Sequence, residues 1–196
     1  MKIFDLYDTK EVKVEDPGLR RYVSVAEKLV IKDHGREGKI KFGRSRINLL
    51  ERFMHIMMCP GHRSGKQKIM THWASGKWSK KAKVMIKALN IIAEKTKQNP
   101  VQVFVKAIEN AAPRDEVTTI EYGGARYPQA VDISPMRRIS LAMRNLRNGA
   151  YDKCFGKNIK LHDALANEII AASQNLSESK AIARKNEIEK MADSSR

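Results

Sequence analysis

Residues 99–113 read NPVQVFVKAIENAAP, and this segment contains the start, the buried face and the end of one helix. Asn99 is a favourable capping residue, and Pro100 suits the first helical turn, where its missing N–H costs nothing. The apolar residues then recur at helical spacing until Pro113 stops the pattern: Val101, Phe104, Val105, Ile108 and Ala112. We therefore expect an amphipathic helix with one face in a core.

Ser134-Pro135 repeats this start signal, and an apolar line follows at Ile139, Ala142, Met143 and Leu146. Asn148-Gly149 predicts the end of that helix. Apolar spacing predicts four more helices at residues 47–58, 78–96, 160–173 and 179–191, and residues 193–196 are expected to fray. The sequence thus predicts a mainly α fold, a helical bundle of about six helices.

Residues 117–133 differ from their surroundings, because β-branched residues stand on both sides of Gly123-Gly124. This pattern predicts a β-hairpin at about residues 115–134. Its apolar content is too small for a second core, so we expect the hairpin to protrude from the helical body as an arm. Tyr122 and Tyr127 flank the turn and are candidates for stacking on unpaired bases.

Positive charge is concentrated in one part of the chain. The 196 residues carry 38 Lys and Arg against 22 Asp and Glu, a net charge of +16. Residues 36–87 account for +12 of that charge, whereas residues 1–34 are neutral and residues 88–196 contribute +4. Such self-repulsion favours a polyanionic partner, most often nucleic acid. We divide the chain into an N-terminal extension, partly irregular, at 1–46 and a single helical domain at 47–196, which carries the arm and is expected to bind nucleic acid.

The loop at residues 61–67, GHRSGKQ, is a candidate phosphate contact through Arg63, Lys66 and Lys68. It is one residue shorter than a nucleotide-binding P-loop, and Gln67 stands where a magnesium-binding hydroxyl is required. Nucleotide hydrolysis is therefore a remote alternative.

Two predicted helices carry rows of basic residues. On the helix at 78–96 the row is Lys80, Lys83 and Lys87. On the helix that begins at Pro135 it is Arg137, Arg144 and Arg147, with Arg138 beside them. The lysine row is typical both of an RNA-binding face and of ordinary solvated lysines. A basic surface continuous with the arm explains the arginines better than isolated solvation.

Cys59-Pro60-Gly61-His62 has the spacing of half a zinc site. The remaining candidate ligands, His55, His72 and Cys154, lack the paired spacing that completes such a site, so we expect no metal and no cofactor. His34 and His162 have no nearby nucleophile arranged for catalysis, and we expect no enzymatic activity. The cysteine content fits a reducing compartment, and no signal peptide or membrane-spanning run is recognised, which predicts a cytoplasmic protein.

Several motifs, taken in order, resemble one family. They are NPVQVFVKAIEN at 99–110, Pro113-Arg114, the arm tip GGARY at 123–127 and AVDISPMRR at 130–138. Together they are similar to the small-subunit ribosomal protein seven family, and the likeness extends from about Ile47 to the C-terminus. The N-terminal extension and the form of the last third resemble the archaeal and eukaryotic branch. Residues 71–78 depart from the family pattern as an insertion.

The resemblance implies a protein that binds ribosomal RNA in the 3′ major domain, or head, of the small subunit and nucleates head assembly. It also implies neighbouring ribosomal proteins of the head as partners, and an arm near the exit-site tRNA and the mRNA. The arm tip would be Tyr122, Gly123, Gly124, Arg126 and Tyr127. RNA contact is implied for Lys66, Lys68, Lys80, Lys83, Lys87, Arg114, Arg126, Arg137, Arg138, Arg144 and Arg147.

The main alternative is a helical DNA-binding regulator with one basic helix in a major groove. The bases are instead dispersed over a loop, several helices and an arm, and no two-helix unit with a short turn is recognised. This dispersion favours a structured RNA over duplex DNA.

Overall fold

The computed structural model describes residues 2–27, 31–58, 76–154 and 156–196. Its helices are α1 (Pro17–Arg20), α2 (Leu49–Met58), α3 (Trp78–Thr96), α4 (Pro100–Ala111), α5 (Pro135–Cys154), α6 (Leu161–Ser173) and α7 (Lys180–Asp193). Its strands are β1 (Lys2–Ile3), β2 (Tyr7–Asp8), β3 (Asp115–Tyr122) and β4 (Ala125–Asp132). Six helices of ten residues or more, with one long hairpin, confirm the predicted mainly α class.

Helix α4 occupies the centre of the bundle, where it packs against α3, α5, α6 and α7. Eight of its 12 residues are buried. Asn99 caps the helix as predicted, since its side chain accepts a hydrogen bond from Val101 N at 3.0 Å. Phe104 meets Phe53 of α2 edge to face, with ring centroids 5.2 Å apart. The helix that the sequence marks most clearly therefore organises the core.

Helix α5 continues through Gly149 to Cys154, so the end predicted at Asn148-Gly149 is wrong. Gly149 is buried where α5 meets α6 and α7. A Cβ at this position would lie 2.6 Å from Oε1 of Glu168 and 3.1 Å from Cβ of Lys180. The glycine allows a close approach between helices and does not end one.

The N-terminal extension lies along the polar side of α4. The backbone of Lys13 exchanges two hydrogen bonds with the side-chain amide of Gln102, at 2.9 and 3.0 Å. Oε1 of Glu109 accepts from the backbone N–H groups of Glu15 and Asp16, at 2.8 and 3.1 Å. Polar residues of α4 therefore satisfy backbone groups of a segment that has little regular structure of its own.

Strands β3 and β4 pair antiparallel over eight residue pairs, from Asp115–Asp132 to Tyr122–Ala125. Gly123 and Gly124 connect them with φ of +57° and +82°, backbone values that match the twist of the strands. Residues 118–129 are all exposed, so the hairpin protrudes from the helices as predicted.

The C-terminal residues contact the base of this arm. Ser195 O accepts a hydrogen bond from Ala130 N at 3.3 Å. Nη2 of Arg196 lies 2.7 Å from Oδ2 of Asp115. Residues 193–196 were predicted to fray, and in the structure their polar groups find partners on both strands of the arm.

Candidate nucleic-acid interface

Helix α3 presents a row of lysines to solvent. Lys80, Lys83 and Lys87 are exposed, and Lys77 extends the row at the N-terminal cap position. Other positions of the same helix are buried: Ala82, Met85, Leu89 and Ile92. Because this apolar stripe faces the core, the three predicted lysines are held on the outer surface, one helical turn apart.

Lys81 belongs to the same helix but not to this surface, since it is only 2% exposed. Burial lowers the pKa of Lys81, and the positive charges of Lys80 and Arg147 lower it further. Lys81 and Arg147 also line one small cavity. One buried cation of α3 and one of α5 therefore lie at the same cavity inside the fold, apart from the exposed lysine row.

The four predicted arginines of α5 divide into two pairs, of which Arg137 and Arg144 are exposed. Nε of Arg137 lies 2.6 Å from Oε1 of Glu116 on β3, and this hydrogen bond raises the pKa of Arg137. Arg144 forms no ion pair within the part of the chain that the structure describes. Its guanidinium is therefore available to an external anion.

Arg138 and Arg147 have partners inside the fold. Nη2 of Arg138 lies 2.9 Å from Oδ2 of Asp16, and its Nε donates to Pro113 O at 3.1 Å. Arg147 is 9% exposed and donates to Oδ1 of Asn148 from Nε and Nη2, at 3.2 and 2.8 Å. Helical spacing placed all four arginines together, whereas the structure separates them. Contact of these two with RNA stays a prediction.

The arm tip exposes the predicted stacking residues, Tyr122 by 81% and Tyr127 by 59%. Ile120 pairs directly with Tyr127, and Tyr122 lies two residues further along the same strand, so the three side chains share one face of the hairpin. On the other face, Nε of Arg126 lies 3.6 Å from Oε2 of Glu121. The tip thus has one apolar, aromatic face and one charged face.

Arg114 stands at the other end of the arm, directly before β3, and is exposed. Its backbone N–H donates to Oε1 of Glu189 on α7 at 3.0 Å. This bond fixes the backbone of Arg114 against the helices while its side chain remains at the surface.

The N-terminal extension contributes exposed cations that sequence reasoning counted only in bulk: Arg36, Lys39, Lys41, Arg44 and Arg46. Phe42 lies among them, is 64% exposed and has a φ of +60°. Nζ of Lys41 is 5.8 Å from the centre of its ring. A bulky residue with positive φ is uncommon, and here it exposes an aromatic ring between cations. The sequence signal that could have identified this surface is a phenylalanine inside a run of basic residues.

Arg63, Lys66 and Lys68 lie outside the described residues, as do Cys59, His62, His72 and the first part of the 71–78 insertion. Within the described ranges, no group of three or more His, Cys, Asp or Glu side chains is placed to hold a metal ion. None of the helices in those ranges combines the length and apolar character that a membrane crossing requires.

Fold and surface together define the class: a basic, mainly α-helical protein with a protruding hairpin and cations on several elements. The chain belongs to the family described as "Ribosomal protein S7p/S5e", which matches residues 19–196. This finding confirms the family resemblance drawn from the motifs between residues 99 and 138.

Two relatives are similar along the length of the chain. The small ribosomal subunit protein uS7 of Nanoarchaeum equitans (strain Kin4-M) is 49% identical over 196 residues, which cover 100% of this chain and 99% of the relative. The small ribosomal subunit protein uS7 of Archaeoglobus fulgidus is 40% identical over 194 residues, which cover 99% and 94% of the two chains. Both relatives are archaeal, in agreement with the predicted branch.

Proposed function

We propose that this chain, a structural protein of the small ribosomal subunit and not an enzyme, binds ribosomal RNA directly. The observation that carries the proposal is the row of Lys80, Lys83 and Lys87 on α3. The buried stripe of the same helix fixes the direction of these lysines. A partner with regularly spaced negative charges matches them, and the RNA backbone is such a partner.

The binding mechanism is electrostatic. Each cation that meets a phosphate displaces condensed counterions, so affinity falls steeply as the salt concentration rises. Cations fixed on a folded bundle select the shape of an RNA more than its base sequence. Arg114, Arg137 and Arg144 add further exposed cations at the arm and on α5. Arg63, Lys66 and Lys68 supply further phosphate contacts, as their sequence predicts.

Arg138 and Arg147 support this surface from within. Arg138 ties the start of α5 to the N-terminal extension through Asp16, and Arg147 orients the side chain of Asn148. We expect both arginines to affect RNA binding mainly by holding α5 in position. Direct contact with a phosphate is limited to the parts of their side chains that reach the surface.

The binding site on the ribosome lies in the 3′ major domain, and early binding there nucleates assembly of the head. The arm reaches toward the exit-site tRNA and the mRNA with Tyr122, Tyr127 and Arg126. Support for this role comes from the exposure of residues 118–129 and from the aromatic face of the tip, which suits unpaired bases.

A direct comparison of two nucleic acids tests the proposal. The purified chain is titrated with an RNA fragment of the 3′ major domain and with duplex DNA of similar length, at salt concentrations from about 50 to about 200 mM. We expect tighter binding to the RNA at every salt concentration, and a loss of affinity of about 100-fold or more across the range. Equal or tighter binding of duplex DNA would instead support the alternative of a DNA-binding regulator.

A further inference from the structure

A groove of about 630 Å³ runs between α5 and α7. Leu141, Asn145 and Asn148 line it on α5, and Ala183 and Ile188 line it on α7. The α5 residues lie three or four positions apart, which places them on one side of the helix. The groove adjoins the exposed cation Arg144, which also lines it.

The α5 wall offers hydrogen-bond donors. Nδ2 of Asn145 is buried and has no hydrogen-bond partner among the described residues. Oδ1 of Asn148 is occupied by two hydrogen bonds from Arg147, at 3.2 and 2.8 Å, so the NH₂ group is the end of this amide that remains for a ligand. A buried donor without an acceptor costs free energy, and a bound acceptor would remove that cost.

The acids of the groove are already compensated. Asp152 forms an ion pair with Lys180, and Oε2 of Glu187 lies 2.5 Å from Nη1 of Arg184. Arg144 is thus left as the cation without a carboxylate partner in the described structure. The groove consequently presents a surplus of donors and one uncompensated positive charge.

These features favour a ligand rich in acceptors. A peptide carries one backbone donor for nearly every acceptor, so it would leave its own N–H groups unmatched on such a wall. An RNA nucleotide carries more acceptors than donors, because its phosphate, sugar-ring and base carbonyl oxygens only accept, and its phosphate supplies the negative charge that Arg144 lacks as a partner. Leu141 and Ile188 are half-buried and give the groove an apolar surface on which a base can pack.

We infer that the groove holds one unpaired nucleotide of ribosomal RNA, with its phosphate at Arg144 and a base acceptor at Nδ2 of Asn145. The base lies against Leu141 and Ile188. This inference rests on the proposed function. It adds a site for one particular nucleotide to the general electrostatic attraction between the basic surface and RNA.

The substitution Asn145→Asp tests the donor, because it replaces the NH₂ group by an oxygen in nearly the same volume. We expect it to weaken binding of the full chain to the 3′ major domain fragment by about tenfold or more at fixed salt. Asn186→Asp is the matched control, since Asn186 is exposed on α7 outside the groove lining and the charge change is the same. The control should change affinity by less than about threefold.

Equal losses of RNA affinity in the two variants would show that net charge alone causes the effect, and would overturn the inference. An unchanged affinity of Asn145→Asp, with tight and salt-dependent binding by the natural sequence, would also overturn it while the proposed function stands. Absence of RNA binding by the natural sequence would contradict both the nucleotide site and the proposed function.

A photo-crosslinking residue at Ala183, which is exposed and lines the groove, gives a readout that survives if Asn145→Asp folds poorly. In cells, the expected adduct is RNA, confined to one short segment that contains an unpaired nucleotide. Crosslinks to a protein, crosslinks scattered over many RNA segments, or no crosslink would each contradict a nucleotide site.

Discussion

Arg137 at the start of α5 and Glu116 on β3 form a two-pronged ion pair, with Nε 2.6 Å from Oε1 and Nη2 2.7 Å from Oε2. This pair joins the first turn of a core helix to the base of the arm. The Arg137 side chain is 57% exposed, so it can reach an RNA phosphate only in competition with Glu116. The acid therefore positions the arm and also reduces the positive potential of α5.

The substitution Glu116→Gln separates these two effects. It keeps a hydrogen-bond acceptor for Arg137 and removes the competing charge, so we expect RNA affinity to rise by about two- to fivefold at low salt, with less than about 1 kcal/mol change in the free energy of unfolding. Filter binding and urea denaturation measure the two quantities. Weaker RNA binding would show that the ion pair matters through arm position.

Gly149→Ala should destabilise the protein, although alanine is favoured over glycine in a helix by about 1 kcal/mol. The new Cβ would lie 2.6 Å from Oε1 of Glu168, which is held by Ser179 Oγ at 2.8 Å and by Ala181 N at 3.2 Å. Because Glu168 is fully buried, it has little freedom to move away. We expect a loss of about 1–3 kcal/mol in the free energy of unfolding.

The control for that substitution is Gly38→Ala, because nothing lies within 4 Å of the Cβ it would add. Urea denaturation of the two variants should show a lowered midpoint only for Gly149→Ala. Stabilisation by Gly149→Ala, as helix propensity alone predicts, would contradict the close packing of α5 against Glu168.

Removal of the arm should leave the helical core folded. If residues 116–132 are replaced by a two-glycine link, the exposed strands are lost. The buried Ile133 and the ion pair between Asp115 and Arg196 are retained. We expect one cooperative thermal transition with Tm lowered by less than about 5 °C, as circular dichroism can show. Loss of the cooperative transition would mean that the hairpin is part of the folding unit.

Glu109 gives a pH-dependent test of how the N-terminal extension is attached. Burial raises the pKa of Glu109, despite the opposing effect of the hydrogen bonds from Asp16 and Glu15. The folded state therefore holds this proton more tightly than the unfolded chain. The resulting stabilisation is present below the unfolded pKa and is lost as the pH rises through the folded pKa.

Glu109→Gln retains a carbonyl acceptor and does not titrate. The free energy of unfolding of the natural sequence, minus that of this variant, should thus decrease between about pH 4 and about pH 7. Chemical denaturation at several pH values measures the difference. A difference that increased with pH would show that the hydrogen bonds outweigh the burial of the carboxylate.

Much of the fold could be predicted because its signals are local. Asn99 and Ser134 each precede a proline, and both helix starts were correct. Gly149 was misread because its role depends on Glu168 and Lys180, which belong to other helices. A local rule for helix ends contains no information about such a crossing.

The basic surface was predicted in outline for the same reason. Helical spacing identifies which residues share a face, but Arg138 and Arg147 are distinguished from Arg144 by partners elsewhere in the chain. Asp16 and the carbonyl of Ile56 lie far from α5 in sequence. Composition shows how many cations are present, and only the packing shows which of them remain at the surface.

The electrostatic role of α3 can be measured with two triple variants of equal charge. One replaces Lys80, Lys83 and Lys87 by Gln. The other replaces Lys10, Lys13 and Lys106, which are also exposed but lie on the N-terminal extension and α4. For each variant, the affinity for the 3′ major domain fragment is followed as a function of salt.

If the α3 row contacts RNA phosphates, its removal should lower the slope of log affinity against log salt by about 2–3, and the control by less than about 1. Identical salt slopes for the two triple variants would contradict binding through α3, since net charge alone would then explain the affinity.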